Sequence, residues 1–215
     1  LVPLLLSGVD PLLATVLSGL GILAVSIFIT HGFNYQSLVS FLGSFASILV
    51  ALGLIYLINR YSSMTGLIND EIQFLSLEME GTLDLVKIVS ASIVVGVLGV
   101  LDDITITQVA VVRELSSSVA MPKLEIFQRA LRVGKDHIAS LVNTLVFAYV
   151  GATLPMIMFI SLLEVPFYIL LSQEFIFIEI MRSLVGAIAL TLAVPVTTWL
   201  STHVFLKYIK RDSCS

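Results

Sequence analysis

Four long apolar runs decide what this chain can fold into, because none of them contains Asp, Glu, Lys or Arg. They cover residues 12–30, 37–58, 138–163 and 183–206. Each can cross ~30 Å of hydrocarbon, which takes roughly 20 helical residues. Charged residues make up only 12% of the chain, against about 25% in an ordinary soluble domain. Unpaired peptide groups are costly in lipid and open sheets have unpaired edges, so the runs predict an all-α, polytopic helical membrane bundle.

A fifth span depends on two adjacent carboxylates, Asp102 and Asp103, within the stretch GVLGVLDDITITQ at residues 96–108. The apolar run before them, residues 88–101, is too short to cross a bilayer alone. It reaches membrane length only if the helix continues through both aspartates, which places the fifth span at residues 86–112. Ionisable groups within membrane spans are rare and usually face the bundle interior or water, so the stretch also marks a candidate site.

The chain begins with Leu1 and an apolar stretch at residues 1–6. We interpret this stretch as the end of a preceding helix, and the chain as a fragment of a longer protein that lacks its N-terminal part. No basic segment and no small-residue cleavage site precede the first long run, so it does not resemble a signal peptide. We expect residues 1–215 to form a single transmembrane helical domain of about five spans.

Lysine and arginine are distributed unequally between the loops, and this predicts the orientation. Residues 113–135 hold five basic residues, and the C-terminal tail holds Lys207, Lys210 and Arg211. Residues 60–84 instead hold five acidic residues and one arginine. We therefore place residues 113–135 and the C-terminus on the cytoplasmic side of the cell membrane, and the acidic loop outside.

Two loops carry the amphipathic pattern of short interfacial helices. In the basic loop Pro122 suits a first helical turn, and Leu124, Phe127 and Leu131 form an apolar stripe opposite the basic side chains. This segment is expected to lie on the membrane surface as an anchor. The acidic loop has a weaker stripe, at Ile72, Leu75 and Met79.

The two aspartates are not equivalent on a helix, because neighbouring side chains point about 100° apart. Asp103 shares a stripe with Thr107, whereas Asp102 shares one with Thr105 and Arg113. Asp103 is the stronger candidate, either as an ion, proton or substrate site or as a structural hydrogen-bond acceptor between helices. For Asp102 we expect an end group that snorkels toward the interface or pairs with Arg113.

Other polar groups interrupt the later spans. Asn143, Thr144 and Tyr149 either line a pathway or hydrogen-bond helices together, although such bonds contribute only ~0.6 kcal/mol on average in membranes. Glu179 and Arg182 lie at i, i+3 and are expected to pair on one helix face. Two interpretations of this pair stay open, a gate or binding site and an interfacial ion pair.

The fifth span also has a small-residue face, formed by Ser92, Gly96 and Gly99. Small residues let helix backbones approach closely in lipid. Helix packing alone explains such a face. A small-residue face that is followed one turn later by carboxylates is a more specific combination than either feature alone.

Little in the sequence supports catalysis. It lacks the HExxH zinc motif, the phosphate-binding GxxxxGK[ST] motif and the GxGD motif of intramembrane aspartyl proteases. Adjacent aspartates on a helix do not form an aspartic dyad. The single cysteine, Cys214, permits neither an intrachain disulfide nor a cysteine metal site. We expect no enzymatic activity, no cofactor and no metal.

Several stretches together resemble the YibE/F family of bacterial multi-spanning membrane proteins. They are GVLGVLDD and TITQ within residues 96–108, GKDHIASLVNTLVFAYVGATLP at 134–155, EIMRSLVGAIALTLAVP at 179–195, HGFN at 31–34 and TGLINDE at 65–71. The resemblance covers nearly the whole chain and implies a protein of the bacterial cytoplasmic membrane. The resemblance also implies a role in transport, but it does not indicate a substrate. The recurring motif positions are Asp103, Asn143, Thr144, Tyr149, Gly151, Glu179, Arg182, Ser183, Gly186 and Pro195.

The leading functional hypothesis is a transporter or permease with a polar intramembrane path near Asp103. The expected surroundings are a lipid bilayer, the expected cargo is a proton, a cation or a small solute, and no nucleic acid is expected to bind. The alternative is a non-transporting scaffold or sensor subunit whose polar residues are structural, and a homo-oligomer is compatible with both. The residues assigned to the path are Asp102, Asp103, Thr107, Asn143, Thr144, Tyr149, Glu179 and Arg182.

Overall fold

The computed structural model describes residues 1–67, 70–78, 84–118, 121–162, 166, 168–169 and 172–212. Within these ranges the chain is all-helical, as the apolar runs predicted, and contains no β-strand. The helices are α1 (Val2–Leu6), α2 (Pro11–His31), α3 (Tyr35–Tyr61), α4 (Asp70–Glu78), α5 (Leu85–Ser118), α6 (Lys123–Ser161) and α7 (Glu174–Asp212). Five of them, α2, α3, α5, α6 and α7, are long and apolar enough to cross a membrane.

Local capping explains where the first long helices begin and end. The Asp10 carboxylate accepts two backbone N–H groups of the first turn of α2, at 3.1 and 3.2 Å, and Pro11 suits that turn. The helix ends where Gly32 adopts a φ of 74°, a conformation that glycine tolerates without strain. Asn34 then accepts the backbone N–H of Ser37 at 2.9 Å and begins α3.

Helix α5 forms the centre of the bundle and packs against α2, α3, α6 and α7. Its buried face includes Val97, Leu101, Ile104, Val109 and Val112. These residues recur at intervals of three to five, which keeps them on one side of a helix with 3.6 residues per turn. The helix also continues through Asp102 and Asp103 without a break, as the fifth span requires.

One face of α3 consists of small residues spaced three and four apart. Its buried members are Ser37, Ser40, Gly43, Ser44, Ser47 and Ala51. Small side chains let neighbouring helix backbones approach closely in a membrane protein. Thr197 of α7 accordingly lies directly against Gly43.

The acidic end of the bundle, which carries Asp10, Thr65 and Glu174, is held by polar contacts between helices. Lys87 donates from Nζ to Asp10 Oδ2 at 2.6 Å and so joins α5 to the start of α2. The Glu174 carboxylate accepts the backbone N–H and the hydroxyl of Thr65, at 2.9 and 2.7 Å. These contacts fasten the segment after α3 to the first turn of α7.

The opposite end, which carries Arg113, Lys123 and Arg129, is called the basic end. Here Arg113 donates from Nη1 to Gln36 Oε1 at 2.7 Å, which joins the end of α5 to the start of α3. Two neighbouring helices run antiparallel when the end of one lies beside the start of the other. The long helices of the bundle therefore alternate in direction between the two ends.

The basic loop differs from its prediction as a separate surface helix. Residues 123–137 form the first part of α6, which runs from Lys123 to Ser161 without interruption. Ile126, Ala130 and Gly134 recur every four residues and are all buried, so the packing stripe of the span extends back through the loop. The acidic loop does contain a short helix, α4, although the predicted stripe residue Met79 lies outside the described residues.

Two glycine substitutions test the close packing of α6. A Cβ atom at Gly134 would lie 2.5 Å from Val194 and 2.8 Å from Gln108, whereas one at Gly53 would meet open space. Gly134→Ala should lower the free energy of unfolding by about 1–3 kcal/mol through overpacking. Gly53→Ala should raise it by up to ~1 kcal/mol, because alanine favours the helix. Unfolding by SDS in mixed micelles measures both, and equal effects would contradict the packing.

The ion pair at the acidic end makes stability depend on pH. The hydrogen bond from Lys87 lowers the pKa of the Asp10 carboxyl below its ordinary value of 3.8. A carboxyl with a lowered folded-state pKa contributes stability that is fully present above its unfolded pKa and lost as pH falls through the folded one. Asp10→Asn should therefore be less stable than the wild type at pH values well above 3.8. The difference should shrink below that value in thermal unfolding scans, and a constant difference would contradict the ion pair.

Candidate functional site

A cavity of about 290 Å³, the α2–α5 cavity, lies between these two helices and contains the side chain of Asp102. Its other polar lining residues are Thr15, Ser18 and Ser26, and most of its remaining lining is apolar. The Ser26 hydroxyl donates to Asp102 Oδ2 at 3.2 Å. The second carboxylate oxygen, Oδ1, is buried and accepts no hydrogen bond from the described residues. Asp102 therefore offers an unused acceptor in an apolar environment, where it is costly.

Thr15 gives the same cavity a second unsatisfied oxygen. Its hydroxyl is buried and has no hydrogen-bond partner among the described residues. Buried polar groups in folded proteins are normally paired with protein or ordered water. Two such exceptions within one cavity distinguish it from ordinary packing between helices.

The expected pairing of Asp102 with Arg113 is wrong. About 16 Å of helical rise separates the two residues on α5, and Asp102 points toward α2 while Arg113 binds Gln36 at the basic end. The predicted ranking of the two aspartates also changes. Asp103 lies two residues after the fully buried Leu101, on the opposite side of α5, and its side chain is exposed on the outer surface of the bundle.

Glu179 and Arg182 form the predicted i, i+3 ion pair, with 3.0 Å between Oε1 and Nη1. Arg182 also donates to the Ser92 hydroxyl of α5 at 3.1 Å and lies 5.7 Å from the ring centroid of Tyr149 on α6. The Tyr149 hydroxyl lies directly over Gly96, where an added Cβ would collide with it. We call these five residues the Arg182 cluster. It joins three helices, and its charged pair is only 22% and 25% exposed.

Asp102 and the Arg182 cluster lie at different depths, although the α2–α5 cavity also extends toward the acidic end as far as Thr15. Glu179 is five residues from the start of α7, or about 8 Å of rise, whereas Asp102 is about 26 Å from the start of α5. Both helices start at the acidic end. The Arg182 cluster therefore lies near that end, and Asp102 lies deep in the bundle, so the predicted site residues do not form one constellation.

Three predicted path residues lie away from both places. The side chains of Asn143 and Thr144 are exposed on the outer face of α6, and the Thr144 hydroxyl donates to the backbone carbonyl of Ser140 at 3.1 Å. Thr107 donates to the backbone carbonyl of Asp103 at 2.7 Å, so these two residues share a helix face as predicted.

Sequence reasoning missed a buried polar layer around Gln108. Its side-chain amide donates to the Ala130 carbonyl of α6 at 3.0 Å and to the Thr198 hydroxyl of α7 at 2.6 Å. Nearby, the hydroxyls of Ser44 and Thr105 share a hydrogen bond of 2.7 Å between α3 and α5. The regular spacing of small residues along α3 is the sequence signal that could have pointed to this layer.

No group of three or more His, Cys, Asp or Glu side chains that could hold a metal ion occurs in the described part of the chain. The chemistry that the structure presents at the α2–α5 cavity is that of one carboxylate and several hydroxyls. Oxygen groups of this kind bind protons and hard cations.

Five long apolar helices joined by polar contacts define a multi-pass helical membrane protein. The chain belongs to the YibE/F-like protein family, whose model matches residues 1–207. No curated protein and no solved structure matches the chain. The family assignment confirms the resemblance seen in the sequence motifs.

Replacement of Gln108 tests whether the polar layer is structural. Gln108→Leu removes two interhelical hydrogen bonds and should lower the free energy of unfolding by about 1–2 kcal/mol, near the upper end for such bonds in membranes. Gln36→Leu removes one exposed contact at the basic end and should cost less than about 1 kcal/mol. SDS unfolding compares the two variants, and equal losses would contradict a structural role for Gln108.

Proposed function

We propose that the protein is a transporter or permease that moves a proton or a small monovalent cation across the membrane, with Asp102 as its binding group. One observation carries the proposal: the Asp102 carboxylate lines a half-open cavity between α2 and α5, far from the helix ends, and keeps one buried oxygen without a donor. A proton or a cation would satisfy that oxygen. Carboxylates in this position commonly mark ion and proton pathways.

The neighbours of Asp102 support this choice over Asp103. The Ser26 hydroxyl already orients one carboxylate oxygen, and Ser18 adds another hydroxyl to the cavity wall. The cavity exceeds the ~30 Å³ that one water occupies in the liquid, so a partly hydrated ion fits within it. Asp103 lies outside this cavity and contributes no atom to its wall.

We leave the Arg182 cluster outside the proposed path. Its contacts bring α5, α6 and α7 together, whereas the cavity lies between α2 and α5 and is lined by Val95, which is next to Gly96 in the chain. Buried Nε of Arg182 and Oε2 of Glu179 have no partners among the described residues.

We place the protein in the bacterial cytoplasmic membrane with its C-terminus in the cytoplasm, because residues 113–135 carry five basic residues. The proposed function requires no catalysis, no cofactor and no nucleic acid.

A second function, a non-transporting scaffold or sensor subunit, is favoured by the polar layer. Gln108 and Thr105 are buried and hydrogen-bonded between helices, as expected of residues that fix packing. The two functions differ in what Asp102 does. In a scaffold, its replacement alters stability alone, because no ion depends on it.

A matched pair of substitutions tests the proposed function. Asp102→Asn and Asp103→Asn make the same chemical change on adjacent residues, and Asn still accepts a hydrogen bond from Ser26. The full-length protein is reconstituted in liposomes that enclose a pH-sensitive dye, and proton flux and radioactive sodium uptake are measured under an imposed gradient. Asp102→Asn should reduce flux to the level of empty vesicles, whereas Asp103→Asn should retain it.

The outcomes separate the two functions. Wild-type flux in the Asp102→Asn protein would contradict the role of Asp102. No flux of either ion through the wild-type protein, together with normal folding, would overturn the transport proposal and support the scaffold. SDS unfolding of both Asn variants provides the folding control.

A further inference from the structure

The outer surface formed by α5 and α6 carries polar side chains at a depth where lipid would surround them. The side chains of Asp103 on α5 and Asn143 on α6 are exposed, and neither makes a side-chain hydrogen bond with the described residues. Polar and ionisable groups within membrane spans almost always face protein or water. This surface, the α5–α6 face, therefore requires a covering that supplies hydrogen bonds.

Both residues point away from the bundle for a simple geometric reason. Asp103 follows the fully buried Leu101 by two residues, or about 200° around α5. Asn143 follows the buried Gly134 by nine residues, which is about half a turn away from the packed side of α6. Neither can reach the interior without rotation of a whole helix.

Asp103 and Asn143 also lie at nearly the same depth. Tyr149 of α6 contacts Gly96 of α5, and Gly134 of α6 contacts Gln108 of α5. Asp103 lies between the two contacts on α5, and Asn143 lies between them on the antiparallel α6. The two polar residues are therefore within about one helical turn of the same depth.

We propose that the α5–α6 face is the interface of a homodimer, in which Asn143 of each copy donates to Asp103 of the other. A two-fold axis along the membrane normal keeps every residue at its own depth, so a reciprocal pair must lie at matching levels. A carboxylate acceptor and an amide donor at one level meet this requirement. A second copy of the chain thus satisfies both groups at once.

The neighbouring glycines fit the same partner. Gly99 lies one turn before Asp103 and Gly151 two turns after Asn143, and a Cβ at either would meet open space in the single chain. Small residues on an exposed face let a second helix approach closely in lipid. Within the predicted small-residue face of α5, Gly96 lies under Tyr149 of the same chain, and the exposed Gly99, which also lines the α2–α5 cavity, lies at the edge of the α5–α6 face.

Cysteine cross-linking in native membranes tests the interface with the full-length protein. In a cysteine-free background that includes Cys214→Ser, Phe147→Cys reports on the α5–α6 face, one turn from Asn143. Tyr56→Cys on α3, a helix that does not pack against α6, is the control for random collision, because the two native side chains are similarly exposed, at 75% and 69%. A short bifunctional maleimide should give a dimer with Phe147→Cys and none above background with Tyr56→Cys.

A second set of variants tests the hydrogen bonds themselves. Asp103→Leu and Asn143→Leu each remove two symmetry-related bonds and should lower the association constant by about sevenfold, measured by energy transfer between labelled copies in liposomes. Asp103→Asn keeps an acceptor oxygen and should associate like the wild type. Both positions face outward, so these changes leave the bundle interior intact.

The results decide the proposal in either direction. A monomeric Phe147→Cys protein, or a cross-link from this position to another segment of the same chain, would overturn the homodimer. Dimers that form equally well with Asp103→Leu would overturn the assigned contact. The inference does not depend on transport, because association is measured without any ion gradient.

Discussion

Hydrocarbon offers no water to polar side chains, and the arrangement of this bundle depends on how its central helix meets that constraint. Helix α5 carries a polar group toward each of its neighbours. Asp102 accepts from Ser26 of α2, Thr105 shares a hydrogen bond with Ser44 of α3, and Gln108 bonds both α6 and α7. Three residues within two turns of one helix thus set the positions of four others. Apolar packing alone specifies position less strictly in lipid, because lipid tails are as apolar as the side chains.

The number of hydrogen-bond partners that a buried polar group already has separates the structural groups from the candidate binding group. The Gln108 amide and the Thr105 hydroxyl are buried with partners, so they gain nothing from a ligand. Asp102 is paired through only one oxygen and lies beside a cavity with a second unpaired oxygen from Thr15. Asp103 has no side-chain partner within the described chain but lies on the outer surface. Adjacent residues with the same chemistry therefore have different proposed roles, one toward an ion and one toward a second copy.

The sequence predicted the parts of the structure that depend on composition and local spacing. Long uncharged runs predict spans because a helix needs no outside partner in lipid, and the i, i+3 spacing predicts the pair of Glu179 and Arg182. The inward face of α5 could not be predicted, since apolar residues surround both aspartates and 100° of rotation separates them. The sequence also did not predict that the basic loop is part of α6. Its many charged residues indicated an exposed segment, although Ala130 and its neighbours on one helix face are buried.

The role of Asp102 requires that water enter the α2–α5 cavity, because an ion path must be hydrated and a packed helix interface is dry. The measurement is the labelling rate of Ser26→Cys by a charged, water-soluble thiol reagent, with the full-length protein in liposomes. Val25→Cys, on the lipid-exposed side of α2, is the control. We expect Ser26→Cys to react and Val25→Cys to remain unlabelled. If only a lipid-soluble reagent labels Ser26→Cys, the cavity is closed to water and Asp102 cannot bind a transported ion there.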